Sequence, residues 1–162
     1  MKTKILSIIV FSICGIFDLQ AYTGPFSDPG NGTILDQKSG LVWQKCASGQ
    51  GTAGDSYTAC GTGTATTYTW ADALAYCNGL NLNGITGWRL PSVKELVSLA
   101  DYSRAAAPAI DTTFFPATTG SYWTSTNHPS GSYRNHAYFI AFNAGTYDTV
   151  VKTTAYRVRC VR

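Results

Sequence analysis

Hydrophobic and polar positions change rhythm several times along the chain. Residues 33–44, Thr-Ile-Leu-Asp-Gln-Lys-Ser-Gly-Leu-Val-Trp-Gln, form two short apolar runs about Ser39-Gly40, a pattern that predicts a β-hairpin. Leu41 and Trp43 share one face of its second arm by the two-residue strand period, which assigns Trp43 to the core. From Thr69 the rhythm is helical. Thr69 has the chemistry of an N-cap with Asp72 three residues on, Trp70, Ala73, Leu74 and Cys77 fall on one face, and Gly79 stops the helix. A second helix is predicted to begin near Ser92. Pro91 disfavours helix at Leu90 but is tolerated at a helix start, and Ser92 with Glu95 has capping-box form. Val93, Leu96, Val97 and Ala100 then recur as a buried face, leaving Lys94, Glu95 and Ser98 toward water. Arg89 and Glu95 read as a surface ion pair rather than a site.

Strand character returns at Tyr122–Thr126, Tyr138–Phe142 and, after a turn at Asn143-Ala144-Gly145, at Tyr147–Val151. Tyr156–Val161 alternates, placing Tyr156, Val158 and Cys160 inward and Arg157 and Arg159 on the opposite face. Between helices and strands, Asp101–Pro116 offers Ile110, Phe114 and Phe115 as a cover for the core. The stretch from Cys46 to Thr67 is dominated by Gly, Thr, Ala and Ser and has no period. The layout predicts an α+β fold: two helices packed on short antiparallel strands, the chain ends close together, and a core of Trp43, Trp70, Trp88, Leu90, Pro91, Leu96 and Trp123.

The amino-terminal residues add a destination. Met1–Lys4 is a basic head, Ile5–Phe17 an apolar run too short for an ordinary membrane span, and Ala21 a small residue at which cleavage can occur. Residues 1–21 are therefore expected to be a signal peptide, 22–32 an arm and 33–162 the folded domain. The product is expected in the periplasm, at the cell surface or secreted; lipid attachment at Cys14 is the second reading, weakened by the bulky Ile13 before it. Without the signal the formal charge falls from +3 to +2. Apart from Lys152, Arg157, Arg159 and Arg162 there is no basic stripe, so nucleic acid is not an expected partner.

Cys46, Cys60, Cys77 and Cys160 remain, an even number for an exported chain, so two disulfides are expected. A Cys46–Cys60 bridge would close the unpatterned loop, a gain of about 3 kcal/mol in the chain-entropy model. Cys77 and Cys160 both point inward and are the natural second pair, although four cysteines permit three connectivities. Clustered Cys/His spacing is absent, and neither metal nor cofactor is expected.

The candidate surface is Asn127, His128, Ser130, Tyr133, Arg134, Asn135 and His136 together with Tyr138, Asn143, Tyr147 and Asp148. Tyr provides contact area at low entropy cost and small polar groups adapt their hydrogen bonds, a composition that suits a binding face and equally an ordinary solvent loop. A Ser125, His128 or His136, Asp148 triad can be assembled on paper, but no Gly-x-Ser-x-Gly elbow supports it, and no catalytic residue is assigned.

Several pieces taken together resemble the Lcl C-terminal domain family, a bacterial family with a C-type-lectin-like fold. They are Asp36 through Gln44, Ala75-Tyr76-Cys77, Gly87-Trp88-Arg89-Leu90-Pro91 with Glu95-Leu96, Phe115-Pro116, Tyr122-Trp123-Thr124-Ser125, and Tyr156 through Arg162. The resemblance implies a compact C-type-lectin-like domain with a Cys77–Cys160 bridge. Some members of that fold class bind sugars through calcium with Glu-Pro-Asn or Gln-Pro-Asp and Trp-Asn-Asp triplets. This sequence has none of them, and Asp111 and Asp148 are isolated, so calcium-independent binding is expected. The formylglycine-generating relatives depend on reactive cysteines, whereas here each mature cysteine is expected to be paired. One member of the family is an adhesin whose collagen-like repeats precede the domain; no Gly-x-y array occurs here. The expected function is an exported, non-catalytic recognition or adhesion module for an unidentified protein or glycan. The alternatives are a structural envelope domain or an enzyme-associated one.

Overall fold

The hairpin forms where the apolar runs place it. In the computed structural model, which describes residues 25–162, β2 (Thr33–Asp36) pairs antiparallel with β3 (Val42–Gln44), with Ile34 opposite Trp43. Asp36 shapes the turn, its carboxylate accepting from the Lys38 N–H at 2.9 Å and the Ser39 hydroxyl at 2.6 Å. The expected signal and Cys14 lie outside the described residues. The stretch read as an arm contributes β1 (Phe26–Ser27), antiparallel to β2, because Phe26 packs on Phe114 and Phe115 at centroid distances of 5.6 and 5.3 Å.

A second sheet carries β4 (Thr67–Tyr68), β5 (Ser121–Asn127), β6 (His136–Ala141), β7 (Thr146–Val151) and β8 (Tyr156–Arg157) in the order β4-β8-β5-β6-β7. Neighbours are antiparallel except β5 with β8. Both faces are covered, and the strand period sorts side chains between them. Tyr122 and Ile140, directly opposite each other, belong to one core with Ile34, Trp43, Leu96, Leu99, Ile110, Phe115, Phe142 and Val161. Trp123, one residue along and opposite Phe139, belongs to another with Ala73, Cys77, Trp88, Leu90, Val158 and Cys160.

Helix α1 (Trp70–Gly79) starts as predicted, with the Thr69 hydroxyl accepting from the Asp72 N–H at 3.4 Å, and buries Ala73 and Cys77. Trp70 is only half-buried: its Nε1–H reaches the Thr124 carbonyl at 2.8 Å while the Lys152 ammonium lies 4.3 Å above its ring. Helix α2 (Val93–Val97) has the predicted capping box, Ser92 Oγ accepting from the Glu95 N–H and the Glu95 carboxylate from the Ser92 N–H at 2.8 Å. It ends at Val97, however, and Ala100 instead bridges to Ile110. The buried stripe is Leu96 and Leu99; Val93 and Val97 are half-exposed. Trp43, Trp88, Leu90, Pro91, Leu96 and Trp123 are buried as expected.

The strand expected over Tyr156–Val161 is regular only at β8. Beyond it Val161 bridges Trp43 on one side and Arg89 on the other, with the Val42 N–H donating to the Arg162 carbonyl at 3.0 Å and the Arg89 N–H to the Val161 carbonyl at 2.8 Å. Buried Gln44 ties this seam to α1: its Oε1 accepts from the Cys160 N–H at 3.1 Å and its Nε2–H donates to the Tyr76 hydroxyl at 3.1 Å. Both bridges, Cys46–Cys60 and Cys77–Cys160, are formed. Arg159, placed outward by alternation, is fully buried, because the face opposite Val158 and Cys160 meets Phe115 and Tyr122 rather than solvent. Among the described residues no helix is long and apolar enough to cross a membrane.

Candidate functional site

A bulge in β5 builds the site. Pairing runs from Trp123 opposite Phe139 to Asn127 opposite Ala137, so β5 spends more residues than β6 over the same span. Such insertions bend a strand and re-aim its side chains. Here the displaced residues dock α2: the Ser125 N–H donates to the Pro91 carbonyl at 2.7 Å, and Thr126 Oγ1 accepts from the Val93 N–H at 3.0 Å, satisfying a free donor of the first turn. The Thr124 hydroxyl donates to the Tyr138 carbonyl at 2.9 Å and closes the strand pair inside the bulge.

Between α2 and the bent sheet runs a groove of about 440 Å³. Val93, Lys94 and Val97 form one wall, Thr126, Asn127 and Pro129 one end, and Tyr138 and Tyr147 the aromatic side. The lining is mostly apolar with a few polar groups, the usual make-up of a small-ligand or peptide site. Tyr147 is 57 % exposed, with its ring 6.2 Å from that of Tyr138. The rings continue outward: His128 lies 6.3 Å from Tyr138 and nearly parallel to it, Tyr133 packs 4.9 Å from His128, and His136 stands edge-on to Tyr133 at 5.1 Å.

The predicted surface therefore divides. Asn127, Tyr138 and Tyr147 line the groove, and His128, Tyr133 and His136 extend it as a ring cluster. Ser130, Arg134 and Asn135 hold the loop. Ser130 Oγ accepts from the Ser132 N–H at 3.4 Å, Arg134 Nε–H donates to the Gly131 carbonyl at 3.3 Å, and the Asn135 carbonyl accepts from the Lys152 N–H at 2.8 Å. Two predicted residues are elsewhere. Asn143 accepts from the Gly120 N–H at 2.8 Å beyond the far end of β6, and Asp148, opposite Phe139, belongs to the α1 face and binds the Thr149 N–H at 2.7 Å. That separates Asp148 from both histidines; His128 Nδ1 accepts from the Ser130 N–H at 3.1 Å and His136 Nδ1 lies 2.9 Å from Asn135 Oδ1. Among the described residues no three or more His, Cys, Asp or Glu side chains gather as a metal cluster. Val93, Lys94, Val97 and Thr126 also line the groove and lay outside the predicted surface, whereas Pro129 falls within its loop. The signal for the valines was present in the stripe that assigned them to the core.

A family model described as the Lcl C-terminal domain matches residues 32–162, which include both cores and the groove. The chain belongs to the Lcl C-terminal domain family. No curated protein matches it. Within this Lcl C-terminal domain the motif Gly87–Pro91 is structural. Arg89 pairs with Val161, Trp88 and Leu90 fill the α1-side core, and Pro91 receives the bulge. The motif thus supports one wall of the groove without lining it.

Proposed function

We propose that this Lcl C-terminal domain is an exported, non-catalytic recognition module of C-type-lectin-like fold that holds a protein or glycan segment in the groove between α2 and β5–β7, without calcium. The observation that carries the reading is the exposed Tyr147 beside Tyr138, facing Val93 and Val97 across a groove walled by a helix and strands. Aromatic rings with an apolar body and a polar tip suit both sugar faces and peptide side chains. The basic head and apolar run of residues 1–17 support export. Covered sheet faces, two disulfides and paired chain ends support the lectin-like fold.

Glycan arrays and panels of envelope and host proteins, probed with wild type, Tyr138→Ala, Tyr147→Ala and the off-groove control Asn143→Ala, test this. Wild type and control are expected to bind alike and each tyrosine variant at least about tenfold more weakly. Equal binding by all four proteins would remove the groove from the account.

A further inference from the structure

Arg159 has no exposed surface, and the ion pairs formed among the described residues are Lys45–Asp28 and Arg89–Glu95, leaving it without a carboxylate. A guanidinium keeps its charge inside a protein. Burial lowers its hold on the proton, with Tyr122 acting in the other direction. The Arg159 Cζ lies over the Phe115 ring at 4.8 Å and over that of Tyr122 at 5.5 Å. Ring faces are weak hydrogen-bond acceptors, which leaves the N–H edge to find others.

On that edge Nη2 donates to Thr118 Oγ1 at 2.8 Å, whose own hydroxyl hydrogen goes to the Phe115 carbonyl at 2.8 Å. Among the described residues Nε and Nη1 have no partner, and neither does the buried Tyr122 hydroxyl. Arg157, paired with Tyr122 across β5 and β8, has an unpartnered Nε, and Trp43, in the same core as Tyr122, an unpartnered Nε1. Gly120, at φ +70°, leaves the Arg157 guanidinium the space a Cβ would occupy. Every one of these unsatisfied buried atoms can donate a hydrogen bond. A water molecule would accept some of them but would also need acceptors for its own hydrogens. An anion needs none and neutralises the charge as well.

We propose that Arg159 and Tyr122 form a buried site for a small monovalent anion of the halide class, enclosed as the core closes. Both side chains are completely buried, so a guest must be small enough to be enclosed with them in the core. The site uses none of the residues that line the groove, so the proposal does not rest on the reading of the groove.

The full chain with its disulfides intact should be melted in gluconate salt progressively exchanged for chloride at constant ionic strength. Wild type is expected to show a saturable rise in Tm of about 3 °C or more. Tyr122→Phe should need about tenfold more chloride for half the effect, and Arg159→Met should lose the dependence. A wild-type Tm indifferent to chloride overturns the proposal, as does an Arg159→Met variant with the same rise, which would place the ion elsewhere. Should Arg159→Met fail to fold, wild-type crystals grown in bromide decide. An anomalous peak against Arg159 supports the site, and density there without anomalous signal overturns it.

Discussion

Glu95 joins a helix start to the strand-like segment before it. Arg89 donates to both carboxylate oxygens, at 2.8 and 2.6 Å, and the Ser92 N–H adds a third bond. The Arg89 hydrogen bonds outweigh the opposing effect of burial and, with Ser92, hold the Glu95 carboxyl at about 2, below its ordinary 4.5. A depressed carboxyl stabilises the fold fully above its unfolded value and loses that contribution as pH falls through the folded one. Glu95→Gln is therefore expected to cost about 1 kcal/mol or less at neutral pH, solvent screening the half-exposed pair. The difference from wild type in thermal melts should close between about pH 4.5 and about pH 2. This constellation was legible because its members lie within seven positions of one another in the sequence. Arg159 was not. Alternation correctly opposed it to Cys160, but a segment buried on both sides is expected to read as a continuous apolar run, and an arginine within it reads as a solvent face.

At the scale of elements, one stripe concealed two roles. Val93, Leu96 and Val97 satisfy the same helical spacing, yet Leu96 enters the core and the two valines flank the groove. Leu96→Ala is expected to cost about 2–5 kcal/mol in denaturant unfolding. Val97→Ala should cost well under half as much while weakening groove binding. The five-residue α2 is held from outside through the β5 bulge. Thr126→Val, which keeps the shape and removes the acceptor for the Val93 N–H, should destabilise by about 1 kcal/mol and speed amide exchange at Val93. Both helix starts and the first hairpin could be read from residues three or four apart. The bulge could not, because Tyr122-Trp123-Thr124-Ser125-Thr126 reads as continuous strand, and only the shorter path of β6 beside it makes the extra residues visible.

Across the whole molecule the two disulfides close loops of very different reach, with sequence separations of 14 and 83. Removing Cys46–Cys60 by paired serine substitutions should cost about 3 kcal/mol and loosen mainly the Gly- and Thr-rich loop. Removing Cys77–Cys160 should cost about 1.5 kcal/mol more, as urea unfolding of the two variants will show. Facing and family resemblance agreed on the pairing, but the parallel contact of β5 with β8 has no local signature, and the strand order followed only from the structure. The seam at Val161 also has a temporal meaning. Gln44 finds its partner at Cys160, 116 positions later in synthesis, so a ribosome that has not passed that point carries a polypeptide whose first hairpin lacks its neighbour and whose Cys77 is an open thiol. Nascent chains of this protein should stay slack and threadable until Cys160 has been added.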